Sequence, residues 1–192
     1  MLKIALIDNY DSFTYNLVHY LETKAEVTVI RNDKVNLDSL NSFDFIVLSP
    51  GPGLPKEAGS LMEVISRYHD KKPILGICLG MQAIAEFFDS SLFNLEKVKH
   101  GLSSTLSWYN KESILYKGII GEIQVGRYHS WAVDEASLPN HLKVSSKTDD
   151  AIMSFESDRF ELTGIQYHPE SILSTKGKEI LFNWFEHFAK NK

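Results

Sequence analysis

Pro73-Ile74-Leu75-Gly76-Ile77-Cys78-Leu79-Gly80-Met81-Gln82 is the stretch that decides how this chain is read. A short apolar run, Pro73 to Ile77, has strand character, and a helical pattern runs from Met81 to Phe88. Cys78 stands at the joint, with Gly76 two residues before it and Gly80 two residues after. This is the nucleophile-elbow pattern with cysteine in place of serine. The turn is tight, so both glycines matter for lacking a β-carbon. The elbow presents the thiol at the end of a strand, beside a helix N-terminus whose dipole favours an anion. The backbone N–H of Leu79 then points to where an oxyanion would form. A lone cysteine is more often a small buried apolar residue, but two flanking glycines at such a joint turn the reading towards a nucleophile.

Outward from the elbow, the first half of the chain alternates strand and helix. Ile4 to Ile7, Val27 to Ile30 and Phe45 to Leu48 read as strands, and Phe13 to Glu22 and Ala58 to His69 as helices. Such alternation implies right-handed crossovers and a mostly parallel sheet covered on both faces, with the site outside the carboxyl ends of the strands. The second half changes character. Segments around Thr105 to Trp108, Glu122 to Val125, Leu142 to Ser145, Ile152 to Phe155 and Leu162 to Tyr167 read as strands of an antiparallel flank. A helix from Thr175 to Ala189 closes the chain. No stretch is rich enough in Pro, Gly or Ser to be a linker, so residues 1–192 are read as one α/β domain.

Composition narrows the function classes. The 192 residues are 43% hydrophobic, enough for a sizeable core. With 25 acidic against 20 basic residues and a net charge of −5, there is no basic face for nucleic acid. The single cysteine excludes an internal disulfide and a four-thiolate zinc site. Apolar runs are too short for a transmembrane helix. The start, Met1-Leu2-Lys3, carries no charged-then-apolar leader, and the expected location is the cytoplasm.

A thiol nucleophile needs a base, and the chain has seven histidines. His19, His69, His141 and His187 have no catalytic context, and His100 is neutral evidence. His129 and His168 are more interesting. In Tyr167-His168-Pro169-Glu170, proline biases His168 towards extended backbone, where residues two apart face the same side. Glu170 could then orient the His168 imidazole as the third member of a triad. Ser49-Pro50-Gly51-Pro52-Gly53 ends another strand at the same sheet edge. It is a stiff loop whose only glycine donors are Gly51 and Gly53, because proline has no N–H. Gln82 lies one helical turn beyond Cys78 on the same face, placed either to read a polar substrate or to face solvent.

Taken together, these motifs resemble the class I, triad-type glutamine amidotransferases. Asp8-Asn9-Tyr10-Asp11-Ser12-Phe13-Thr14 and Gly126-Arg127-Tyr128-His129-Ser130 narrow the resemblance to the component II glutaminase subunits of anthranilate synthase and aminodeoxychorismate synthase. The resemblance spans essentially the whole chain. It implies glutamine hydrolysis by Cys78, His168 and Glu170, with ammonia passed to a chorismate-binding component I subunit. It also implies an oxyanion site at Leu79 and Gly51, and a glutamine pocket at Gly51, Pro52, Gly53, Gln82, Ser130 and Trp131. No cofactor is implied on this chain, and magnesium belongs to the partner. The Asp8 to Thr14 loop would lie near the partner face. Three positions depart from the usual pattern: Met81 where histidine is usual, Ser90-Ser91 in place of a Gly-Gly turn, and Trp131 where leucine is common. None is a triad member. The tryptophan and folate branches share these motifs and both stay open. Two other readings are a γ-glutamyl or other thiol hydrolase with the same elbow, and a subunit that binds a partner without catalysis. The Pro-Gly-Pro-Gly loop with Gln82 opposes the first, and the intact triad opposes the second.

Overall fold

A computed structural model of the chain describes residues 1–190 and 192. Twelve strands and four α-helices are present among them. The strands are β1 (Lys3–Asp8), β2 (Glu26–Arg31), β3 (Phe45–Leu48), β4 (Ile74–Ile77), β5 (Leu92–Asn94), β6 (Leu102–Thr105), β7 (Trp108–Tyr109), β8 (Gln124–Arg127), β9 (Trp131–Val133), β10 (Leu142–Lys147), β11 (Ile152–Ser157) and β12 (Leu162–Ile165). The helices are α1 (Thr14–Leu21), α2 (Leu61–Tyr68), α3 (Leu79–Phe87) and α4 (Gly177–Ala189).

Eight strands form the central sheet in the order β2-β1-β3-β4-β12-β11-β10-β7. The first five are mutually parallel, and β11, β10 and β7 extend the sheet antiparallel. The expected parallel sheet with an antiparallel flank is therefore the observed one. Its details differ from the sequence reading in two ways. β12 belongs to the parallel part, next to β4, so the strand leading to His168 adjoins the strand leading to Cys78. Off the sheet, β6 pairs with β8 and β5 with β9 in two small antiparallel ladders.

Both faces of the parallel strands are buried, which is why they read as continuous apolar runs rather than alternating ones. Alternate residues nonetheless serve different cores. Ile4 and Leu6 of β1 and Phe45 and Val47 of β3 pack with Leu17 and Leu21 of α1 and Ile180, Leu181, Trp184, Phe185 and Phe188 of α4. Ala5, Ile7, Ile46 and Leu48 pack on the other side with α2 and α3. Each such side chain, fully buried, contributes roughly 1.5–3 kcal/mol of transfer free energy.

Helix α2 starts three residues later than its apolar stripe suggests. Gly59 has φ +52°, and a β-carbon there would lie 2.9 Å from the Asn32 carbonyl, so the chain turns before the helix begins. Met81 is fully buried, its Cγ 2.7 Å from where a Gly164 β-carbon would stand. The departure at this position thus fills the space between α3 and β12. No helix among the described residues is long and apolar enough to cross a membrane.

Candidate active site

Strand β4 and helix α3 meet at Cys78, whose backbone has φ +51° and ψ −102°. A non-glycine residue held there costs on the order of 1–3 kcal/mol and persists only where the surroundings enforce it. Here they do. The Cys78 N–H donates to the Ile165 carbonyl of β12 at 2.7 Å. The two flanking glycines are needed for distinct reasons. A β-carbon on Gly76 would lie 2.4 Å from the Gly80 carbonyl carbon and oxygen, so α3 can rest on β4 only without one. A β-carbon on Gly80 would lie 2.5 Å from the Leu48 carbonyl oxygen at the end of β3. The elbow is therefore wedged between three strand ends, and helix α3 begins at Leu79.

His168 lies three residues past the end of β12. Its N–H donates to the Gly126 carbonyl at 2.9 Å, and its carbonyl accepts from the Ser174 hydroxyl at 2.5 Å. Its Nδ1 is 2.7 Å from Glu170 Oε1, with the two side chains 3% and 0% exposed. The expected pairing of the two side chains is present, but extended backbone is not its cause. The Ser171 N–H donates to the His168 carbonyl at 3.2 Å, closing a turn over Pro169 and Glu170 that brings the carboxylate back to the ring. The turn is held from behind by Gly177 at the start of α4, where a β-carbon would strike the Pro169 carbonyl.

Because Nδ1 faces a carboxylate, it carries the proton, and Nε2 is the free position of the ring. Nε2 is buried and has no hydrogen-bond partner among the described residues. Burial alone would lower the basicity of His168. The neighbouring Cys78 sulfur and the Glu170 carboxylate oppose this and hold the imidazole well above the ordinary histidine range. The site favours a proton on His168, as a base that must take one from a thiol requires.

Cys78 and His168 open into one cavity of about 280 Å³. Pro50, Gly51 and Pro52 form one wall, with Tyr10, Asp11, Ser12, Phe13, His100 and Tyr128 around the rest. Gly51 is packed so tightly that a β-carbon would lie 2.5 Å from Asn9 Cβ and 2.9 Å from Leu79 Cδ2. Gly51 and Leu79, the two expected oxyanion donors, are thus neighbours. Neither N–H has a protein acceptor among the described residues, and Leu79 belongs to the first helical turn, whose N–H groups lack intrahelical partners.

The remaining expected pocket residues sit behind this wall. Gly53 is exposed, with φ +76°. Gln82 is buried, its Nε2 donating to the Trp131 carbonyl at 2.9 Å and to Gln166 Oε1 at 3.1 Å, so it does not face solvent. The Ser130 carbonyl accepts from the Leu95 N–H at 2.8 Å. His129 is off the cavity wall. Its Nε2 accepts from Arg127 Nε at 3.1 Å, and its Nδ1 is 2.8 Å from the Trp131 carbonyl. Burial and the Arg127 charge push it down to about 4. Arg127 in turn donates to Asp150 at 2.7 Å.

Sequence reasoning did not assign the Tyr10–Phe13 loop, His100 or Tyr128 to the site. The Phe13 and Tyr128 rings lie against the His168 ring, at centroid distances of 5.9 Å and 4.9 Å. An Asp11 carboxylate oxygen comes within 4.8 Å of His168 and Glu170. Burial raises the Asp11 carboxyl, offset in part by the Phe13 N–H and the His168 charge. The signal for this loop was its position after β1, at the same sheet edge as the elbow.

Comparison with known proteins gives the same picture. The family model of class-I glutamine amidotransferases matches residues 5–188. A Pseudomonas aeruginosa protein named anthranilate synthase component 2 is 42% identical over 190 residues, covering 94% of each chain. An Escherichia coli protein named aminodeoxychorismate synthase component 2 is also 42% identical, over 94% of this chain and 98% of its own. Among solved structures, a GMP synthase subunit of Thermoplasma acidophilum superposes with a TM-score of 0.88 at 27% identity, covering 100% of this chain and 96% of its own.

Proposed function

The chain belongs to the class-I glutamine amidotransferases, and from that premise we propose that it is the glutaminase subunit of a chorismate-using synthase. The observation that carries the reading is the cavity in which an elbow thiol and a carboxylate-held imidazole meet. The Cys78 sulfur attacks the side-chain carboxamide carbon of glutamine, and its proton passes to His168 Nε2. The N–H groups of Leu79 and Gly51 receive the oxyanion. Collapse returns the His168 proton to the departing nitrogen, which leaves as ammonia, and a γ-glutamyl thioester remains on Cys78. His168 then takes a proton from water, the resulting hydroxide cleaves the thioester, and glutamate leaves as the thiol is restored. Glu170 holds the Nδ1–H throughout.

Gly51 and Pro52 would meet the substrate from the cavity wall, while Gly53, Gln82, Ser130 and Trp131 shape the pocket from behind it. The partner is a component I subunit that binds chorismate and magnesium, and this chain itself needs no cofactor. We read residues 1–192 as one amidotransferase domain acting in the cytoplasm, where a reduced thiol persists. The two named relatives belong to different synthases at the same identity, so the product is either anthranilate or aminodeoxychorismate. Reconstitution with the organism's chorismate-using subunits, glutamine and chorismate tests the reading and selects the branch by product. A complex that makes product from ammonia but never from glutamine would refute it.

A further inference from the structure

The direction of the Gly51 N–H is set from a distance, by a short relay that starts in the loop after β1. Asn9 follows that strand and is 2% exposed, although its side chain is polar. Its backbone N–H donates to Ser49 Oγ at 2.8 Å, and its Nδ2 donates to the Ser49 carbonyl at 2.8 Å. Its Oδ1 accepts from Asn32 Nδ2 at 3.1 Å, which fixes the amide's orientation. Ser49, with no exposed surface, lies 2.7 Å through its Oγ from the Pro50 carbonyl oxygen. The proton assignments are forced. A backbone N–H can only donate and a carbonyl can only accept, so the Ser49 hydroxyl accepts from Asn9 and donates to Pro50.

The next link is covalent. The Pro50–Gly51 peptide is trans and planar, as every peptide bond described here is trans. In such a unit the C=O and N–H point in opposite directions. Fixing the Pro50 oxygen therefore aims the Gly51 N–H, and Gly51 lines the cavity beside Cys78. Pro50 has no N–H of its own to anchor the loop. With Ser49 Oγ removed, the hydroxyl contact that holds the Pro50 oxygen is lost.

We propose that Ser49 and Asn9 are positioning residues that aim the Gly51 N–H at the developing oxyanion. The proposal rests on the glutaminase reading and assigns roles to two residues outside its triad and pocket. Neither touches substrate. Their effect falls on the transition state, because the oxyanion exists only there. Losing one oxyanion donor outright lowers kcat by about 10²–10³-fold, so misaiming it lowers kcat by roughly 10–100-fold.

The test uses the complex reconstituted with its chorismate-using subunit. Ser49→Ala should lower glutamine-dependent kcat by roughly 10–100-fold and leave the KM for glutamine within about threefold. Ammonia-dependent synthesis should be unchanged, which reports intact assembly. Alkylation of Cys78 by iodoacetamide, a displacement at saturated carbon with no oxyanion, should proceed at the wild-type rate. Asn9→Asp keeps the side-chain shape and the Asn32 contact but loses the donor to the Ser49 carbonyl. It should show the same pattern at about tenfold, and it carries the test if Ser49→Ala does not fold. Unchanged kcat in the variants would overturn the proposal. So would an equal fall in iodoacetamide alkylation, which would mean that the whole site had collapsed. A wild-type complex inactive with glutamine would overturn the glutaminase reading itself, and the two failures are told apart by the wild-type control.

Discussion

Replacing Glu170 by glutamine removes one charge from a buried pair and leaves its shape intact. The carboxylate and the ring are 2.7 Å apart through Nδ1, with side chains 0% and 3% exposed. Unit charges about 4 Å apart interact by about 4 kcal/mol at an effective dielectric of 20. The imidazolium is only partly developed when the thiol attacks, so roughly half of this, about 2 kcal/mol, is lost from the transition state. That is on the order of a 30-fold fall in kcat. A second cost follows from the amide. Glu170 Oε2 is buried without a partner, so the new NH₂ must either take that place unsatisfied or turn towards Nδ1. The first choice costs about 1–3 kcal/mol of stability, and the second reverses the histidine tautomer and slows the reaction further. Glutamine-dependent and ammonia-dependent synthesis are measured in the same complex, with a denaturant midpoint on the subunit. The expected result is a glutamine-dependent kcat lower by about 30-fold or more, at unchanged ammonia-dependent rate. A kcat within threefold of wild type would refute the role given to Glu170.

Two predictions concern the Arg127 network, and a third concerns pH. His129 should be neutral with its proton on Nδ1 across pH 5–8, as read by long-range ¹⁵N–¹H spectra, because Arg127 Nε can only donate to Nε2; an Nε2–H signature would contradict this. Asp150→Asn should cost roughly 2–3 kcal/mol in urea unfolding, less than the 3–5 of a fully buried pair because Asp150 is 38% exposed while Arg127 is left 1% exposed and unpaired; an unchanged midpoint would contradict it. His168 is held above its unfolded value by Cys78 and Glu170 against burial. The stability this supplies is complete below the ordinary histidine range and is lost as pH rises through the raised folded value. Wild type should therefore lose its stability advantage over Glu170→Gln as pH rises above neutrality, and a constant difference from pH 6 to 9 would contradict the assignment.

The residues that chain neighbours determine were legible in the sequence. Cys78 between two glycines reads locally, because the elbow is built from adjacent residues. The pairing of His168 with Glu170 also reads locally, although the turn that makes it was not foreseen. The strands of the parallel sheet were legible because burial on both faces leaves them uniformly apolar. What escaped is what long-range contacts decide. Asn9 meets Ser49 forty residues away, and neither residue type announces that role. Phe13 and Tyr128 reach His168 from distant loops. The small ladders β5–β9 and β6–β8 are two to four residues per strand and too short for any period to register. Gln82 was placed correctly on its helix, but only the fold shows its amide nitrogen committed to Trp131 and Gln166.

The central claim is that Cys78 is the nucleophile, and Cys78→Ser in the reconstituted complex tests it most directly. The substitution removes only the sulfur, from a residue with 6% of its surface exposed. Glutamine-dependent synthesis should fall to background, no γ-glutamyl adduct should appear on the subunit by mass spectrometry, and ammonia-dependent synthesis should be unchanged. Glutamine-dependent synthesis at a rate near wild type would contradict the account.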